Sequence, residues 1–373
     1  MDKVKYWLWL HTRNNLTPIK ANALLTHFKT PENIYNAERY DNIDGIKLDR
    51  RAVLSLEDKH FDGVDKIMNY CLKNGVAIIT RDDEDFPESL RHIYNPPLLL
   101  FALGDISCLN KKLVISFVGT RSCSAYGIRI ADKLAGEIAK YGVVVVSGMA
   151  KGIDSAAHEA TIRAGGKTVA VLGSGIDVCY PKINKKLMNQ IAKTGAVITE
   201  FVPGTAPERE NFPFRNRIIS GLARGVVITE APERSGALIT ASYAADQGKD
   251  VFAVPGDITN PCSVGTNRLI ADGAKLITCV DDILVEYIDD FTGMDLERQI
   301  ETNETSSAIE DLIEDYTEDE KAILRAIGTG EVHIDKIIHD SGLDSAYVIS
   351  MLTMFEITGI TEQMPGKIFK LII

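Results

Sequence analysis

Residues 113–127 read LVISFVGTRSCSAYG, residues 143–154 read VVVVSGMAKGID, and residues 168–177 read TVAVLGSGID. Each stretch opens on an apolar run, passes through a glycine-rich loop and leads into a helix-like segment. Near-continuous Val, Ile and Leu suit strands buried on both faces. Such loops place backbone N–H groups and a helix N-terminus at the carboxyl edge of a parallel sheet, where anions bind. Three in succession predict a surface built for several phosphates.

Further apolar runs at 196–199, 225–230, 250–254 and 275–278 alternate with helix-like stretches. This alternation predicts a parallel sheet with helices on both faces and right-handed crossovers. Upstream, Val76–Thr80 reads as a strand and Asn95–Leu100 as a lead-in to the sheet. Residues 1–65 read as short helices, with Thr17-Pro18 and Thr30-Pro31 as start signals. Residues 281–316 lose hydrophobic periodicity, which predicts a flexible linker. In the last segment Thr317-Glu318-Asp319-Glu320 is a capping-box start, and two further helices and two strands follow. Three helices and a β-hairpin make a winged helix. The expected domains are 1–65, helical; 66–288, the sheet core; 289–315, an acidic linker; and 316–373, the winged helix.

The formal net charge of -11 argues against a nucleic-acid partner, but its distribution reverses that reading. Residues 111–235 hold 18 Lys/Arg against 10 Asp/Glu, whereas residues 281–320 hold one against 16. The glycine-loop region is therefore basic and the acidity sits in the linker. An acidic linker of this kind could mimic nucleic acid and shield the basic rim. Six cysteines are scattered with no CxxC pair, as expected of reduced thiols in a cytosol. No apolar run reaches the roughly 20 residues that span a bilayer. A cytoplasmic protein with no membrane partner is expected.

Arg121, at the tip of the first loop, can clamp a phosphate with its fork of donors, and Ser122 or Ser124 can add hydroxyls. The competing reading pairs it with a core carboxylate such as Asp154 or Asp177. Lys151 in the second loop is a phosphate contact or a solvated lysine. The third loop, Gly173-Ser174-Gly175, lacks the third glycine of a dinucleotide fingerprint, and no acidic residue follows at the ribose distance. Tyr180, Lys182, Lys185 and Lys186 combine an aromatic with a basic run, which suits base stacking beside phosphate contacts. Phe212-Pro213-Phe214-Arg215-Asn216-Arg217 adds aromatics, arginines and an amide just before a helix. There Arg215 and Arg217 reach a nucleic-acid strand, or one of them forms a buried pair with Glu230.

Catalysis finds little support. His158, Ser155 and Asp154 share one helix, which gives poor triad geometry, and no metal-ligand cluster or Walker lysine appears. No catalytic residue, metal or cofactor is expected. The third helix of the winged helix, 344–357, has no Lys or Arg, so protein contact is expected there rather than duplex DNA.

VGTRSCSAYG, VSGMAKGIDSAAH, AVLGSGIDVCYP, FPFRNRIISGL, ERSGALITASYAADQGKDVFAVPGD and SVGTNRLIADGA occur in the order seen in the DNA-processing protein A family (DprA, also called Smf), which the chain resembles over about 66–283. The resemblance implies an extended Rossmann-like core behind a sterile-alpha-motif (SAM)-like helical domain. It implies a non-catalytic, homodimeric single-stranded-DNA-binding protein that helps load the RecA recombinase during natural transformation. It puts Arg121 at the family's DNA-contacting arginine, with Gly119, Ser122 and Ser124 shaping the pocket. Gly173, Gly175 and Lys182 fall in the next loop and Phe214, Arg215, Asn216 and Arg217 at the same rim. Two other readings compete: a nucleotide-binding hydrolase or phosphoribohydrolase on a similar sheet, and a protein-interaction scaffold.

Overall fold

The computed structural model describes all residues except 1, 41, 42, 44, 45, 112, 291–315, 329–331, 365 and 373. The expected acidic linker thus lies almost wholly outside the described residues. The chain divides into two compact units, Met1–Ile283 and Leu284–Ile373.

The first unit opens with helices α1 (Asp2–His11), α2 (Pro18–Phe28), α3 (Pro31–Asn36), α4 (Arg50–Glu57) and α5 (Asp62–Asn74). The start signals act as read: Thr17 accepts the Lys20 N–H and Thr30 the Asn33 N–H, each with proline at the first helical position. These helices share one apolar cluster with the sheet, in which Trp7, Trp9 and Leu24 pack together with Leu99, Phe101 and Leu172.

The sheet begins with β1 (Ala77–Thr80), short helix α6 (Glu88–Arg91), β2 (Leu99–Gly104) and short helix α7 (Cys108–Lys111). Alternating strands and helices follow: β3 (Val114–Val118), α8 (Ala125–Lys140), β4 (Val144–Ser147), α9 (Ile153–Arg163), β5 (Thr168–Val171), α10 (Lys185–Thr194) and β6 (Ala196–Thr199). The second half runs α11 (Asn211–Leu222), β7 (Gly225–Ile228), α12 (Gly236–Asp246), β8 (Asp250–Ala253), α13 (Val264–Ala271), β9 (Lys275–Leu276) and α14 (Asp281–Leu284). The nine strands lie in the order β1-β2-β6-β5-β4-β3-β7-β8-β9. All neighbours from β6 to β9 are parallel, whereas β2 pairs antiparallel with both β1 and β6. Strands β3 to β7 are buried at every position, which is why their sequences are continuous rather than alternating.

The strand order sets the site. From β3 the chain winds outward through β4, β5 and β6, then returns along α11 to place β7 on the other side of β3. The crevice between the carboxyl ends of β3 and β7 is therefore the topological switch point, where ligands of such sheets bind.

The second unit holds α15 (Glu318–Ile327), β10 (Val332–His333), α16 (Ile334–Ser341), α17 (Ser345–Ile357), β11 (Thr361–Met364) and β12 (Ile368–Leu371). Thr317 and Glu320 form the capping box, and Asp344 caps α17. With strand order β10-β12-β11 and a core of Ile323, Leu324, Ile337, Leu352 and Phe369, this is the expected winged helix.

Candidate nucleic-acid interface

A cleft of about 560 Å³ opens at the switch point. Its walls come from the loop after β3 (Gly119, Arg121, Ser122), from the first two turns of α11 (Phe212, Arg215, Asn216), and from the loop into α12 (Arg234, Ser235, Gly236). Tyr180 and Arg209 close it from the long connections after β5 and β6. Of the residues expected from sequence, the cleft brings together Gly119, Arg121, Ser122, Arg215 and Asn216. Ser124, Lys151, Gly173, Gly175, Lys182, Phe214 and Arg217 do not line it.

The arginines divide into committed and free. Phe212–Arg217 lies inside α11, not before it, because Pro213 sits in the first turn where its missing N–H costs nothing. Two residues on a helix are turned by roughly 200°, so Arg215 and Arg217 point in opposite directions. Arg217 points inward and is 3% exposed. Its Nη1 and Nη2 meet Glu200 Oε1 and Oε2, each at 2.6 Å, and its Nε donates to the Asn95 carbonyl at 3.1 Å. The buried pair weighed from sequence exists, but Glu200 holds it rather than Glu230, and it takes Arg217 out of reach of a phosphate. Phe214 stacks on this guanidinium with its ring centroid 4.0 Å away, so it also serves the scaffold.

Arg215 is 4% exposed and forms the cleft floor. Its Nη1 donates to the carbonyls of Gly148, at 2.8 Å, and of Val171, tying β4 to β5. Burial pushes its pKa down to about 10, against the pull of Asp154, so it stays cationic at neutral pH. Burial likewise raises the Asp154 carboxyl above the usual carboxylate range, opposed by Arg215 and by main-chain N–H groups of Ala150 and Gly119.

Three arginines remain uncommitted. Arg121 is exposed, pairs with neither Asp154 nor Asp177, and lies 5.0 Å above the Phe212 ring. Phe212 in turn packs on Gly173, where a Cβ would come within 2.8 Å of the ring. The third loop thus gives up a side chain so that an aromatic can carry Arg121. Tyr180 packs beside Phe212 at a tilt, its ring centroid 5.5 Å away. Arg209 and Arg234 are exposed on the walls with no hydrogen-bond or ion-pair partner among the described residues. Sequence reading gave neither of them a binding role. Each is flanked by glutamate, which hides a local basic signal. Lys151 and Lys182 are exposed outside the cleft lining, with Lys185 and Lys186 beside Lys182.

The glycine loops work differently from the sequence expectation. Some of the N–H groups in and beside these loops are taken by the protein's own carboxylates, because buried donors need acceptors whether or not a ligand is bound. Glu230 takes the Ser124 N–H, Asp154 the Ala150 N–H, and Asp177 the Gly204 N–H beside the third loop. Several glycines are there for close packing: a Cβ on Gly119 would sit 2.5 Å from Ile153, and one on Gly175 2.7 Å from the Val202 carbonyl.

His158 is fully buried, 0% exposed. Thr168 Oγ1 donates to the Val145 carbonyl at 2.8 Å, so it accepts from His158 Nδ1 at 2.6 Å. Burial, and secondarily Arg215, lowers the imidazole pKa to about 3. The unfolded chain protonates near 6.5 while the fold stays neutral, so stability is lost as pH falls between those values. The slope is at most one proton, about 1.4 kcal/mol per pH unit. Urea unfolding across that window should therefore show a shallower acid loss in His158→Gln than in the parent; parallel curves would refute this.

Residues 77–288 match the family model described as DNA recombination-mediator protein A, and residues 306–367 match the DprA winged helix domain. The DNA processing protein DprA of Streptococcus pneumoniae is 46% identical over 205 residues, 55% of this chain and 72% of the relative. Protein Smf of Synechocystis sp. is 33% identical over 386 residues, 97% of each chain. The X-ray structure of the S. pneumoniae protein superposes with a TM-score of 0.67 at 36% identity, covering 76% of this chain and 97% of that one. A structure describing the single-stranded DNA binding mode of DNA processing protein A from Helicobacter pylori superposes at 0.53 with 29% identity, covering 58% and 97%.

Proposed function

This chain belongs to the DNA recombination-mediator protein A family, and we propose that it binds single-stranded DNA at the switch-point cleft and loads a RecA-type recombinase on incoming DNA during natural transformation. In this reading it acts in the cytoplasm, as a homodimer and without catalysis. The observation that carries the DNA reading is the ring of free arginines, Arg121, Arg209 and Arg234, around a cleft where Arg121 lies over Phe212 and Tyr180 packs alongside. Free guanidinium groups hold phosphates and aromatic faces take bases of any identity, which gives little sequence preference. The exposed Lys151 and Lys182 would extend the phosphate track beyond the cleft. The H. pylori relative supports the same ligand, and the RecA and dimer roles rest on family membership.

The winged helix is assigned to protein contact. The exposed positions of α17 include Ile349, Met354 and Ile357, and the helix has no basic residue. The test is a fluorescence titration of oligo(dT) with the full chain. Log affinity should fall linearly with log salt, by about 0.7 per phosphate held, and duplex competitor should displace little. Absence of binding at low salt would sink the proposal.

The floor carboxyl Asp154, raised in pKa by burial and lining the cleft, favours a nucleotide hydrolase. Turnover of nucleoside monophosphates would decide for that reading. Its oxygens already serve loop N–H groups, which argues for a structural role.

A further inference from the structure

The loop that carries Arg121 hangs by both ends from one residue just past the neighbouring strand β7. The Thr120 N–H donates to the main-chain carbonyl of Glu230 at 2.8 Å. The Ser124 N–H and Oγ donate to its carboxylate, to Oε2 at 2.8 Å and Oε1 at 2.7 Å. Glu230 follows the end of β7, across the switch point from β3, and is 1% exposed. Ser124 Oγ also accepts the Gly127 N–H at 3.1 Å and so caps α8. Its hydroxyl is thus used on both sides, leaving the expected role of direct phosphate contact to other groups. Gly127 leaves room for the carboxylate, since a Cβ there would come within 2.3 Å of Glu230 Oε2.

From this we infer that Glu230 is a positioning residue for DNA binding. Its carboxylate occupies the anion cradle at the start of α8 and fixes the backbone on either side of Arg121. The phosphate is then met by an aimed guanidinium above Phe212 rather than by the helix N-terminus. An exposed arginine on an untethered loop would lose rotamer and backbone freedom on binding; the tether removes part of that cost beforehand. The inference rests on the single-stranded-DNA reading of the cleft.

Two variants reach the tether from opposite sides without touching Arg121. Glu230→Gln removes the charge and keeps the shape. Gly127→Ala displaces the carboxylate with a methyl, while alanine in a helix is more favourable than glycine by about 1 kcal/mol. Each should weaken oligo(dT) binding by roughly tenfold, the scale of one charged hydrogen bond. Each should also lower the salt slope by about 0.7, the loss of one phosphate contact. Neither should add a further loss in the Arg121→Ala background. Additive losses there, or unchanged affinity in a variant that melts like the parent, would overturn the inference. If one variant does not fold, the other decides. Should Arg121→Ala alone impair binding, only the Glu230 role fails; should the parent not bind, the function itself fails.

Discussion

Replacing Arg121 with alanine is expected to weaken oligo(dT) binding by roughly ten- to a hundredfold while the fold stays intact. The magnitude is that of a hydrogen bond to a charged group, about 1.5–3 kcal/mol. Arg121 is exposed and free of ion pairs among the described residues, and its guanidinium lies 5.0 Å over the Phe212 ring. An exposed cation–π contact contributes about 0.5–1 kcal/mol, so the melting temperature should drop by only a few degrees. Arg121→Lys should fall between, since lysine keeps a charge but neither the planar fork nor the stack. Anisotropy titration and a thermal melt on the same samples make the comparison. Loss of fold in step with loss of binding would defeat the assignment.

Arg217→Ala should do the reverse. Removing one partner of a buried pair leaves the other charge uncompensated, at a cost of about 3–5 kcal/mol. Glu200 would be left 5% exposed with both carboxylate oxygens unpaired from the arginine. For a unit of this size that corresponds to a fall in melting temperature on the order of 10 °C. Replacing both partners with apolar residues of similar volume, Arg217→Met with Glu200→Leu, should recover much of the loss. Binding measured well below the melt should suffer less than in Arg121→Ala. A variant that melts like the parent yet no longer binds DNA would restore Arg217 to the contact set. The pair also reaches the first helix: Glu200 acts on the half-buried His11 of α1, whose pKa desolvation lowers against the pull of that carboxylate.

These opposite outcomes come from two residues that look alike in FPFRNR. The motif could be read as extended or helical, and the two choices send its arginines to different surroundings. A strand-like segment puts both near one rim; the helix from Asn211 separates them, one to the cleft floor and one into the core. Arg209 and Arg234 escaped notice for the opposite reason. They stand alone in acidic surroundings, and only the approach of two distant loops makes them a pair of walls.

The sequence by itself determined the central strands β3 to β7, because a strand buried on both faces must be apolar throughout, whereas β2 read only as a lead-in to the sheet. It determined the winged helix through local caps such as Thr317 with Glu320, and the family through ordered motifs. It also marked the edge of the sheet at which the cleft opens, since glycine loops at strand ends announce close approach. Tertiary structure alone decided which charges are free. Glu200 reaches Arg217 from 17 residues away and Glu230 reaches Ser124 from 106 away. Local periodicity fixes the direction in which a side chain leaves its element. Whether it meets a partner, and in how low a dielectric, depends on distance through space, and that distance is set only when the sheet closes around the switch point.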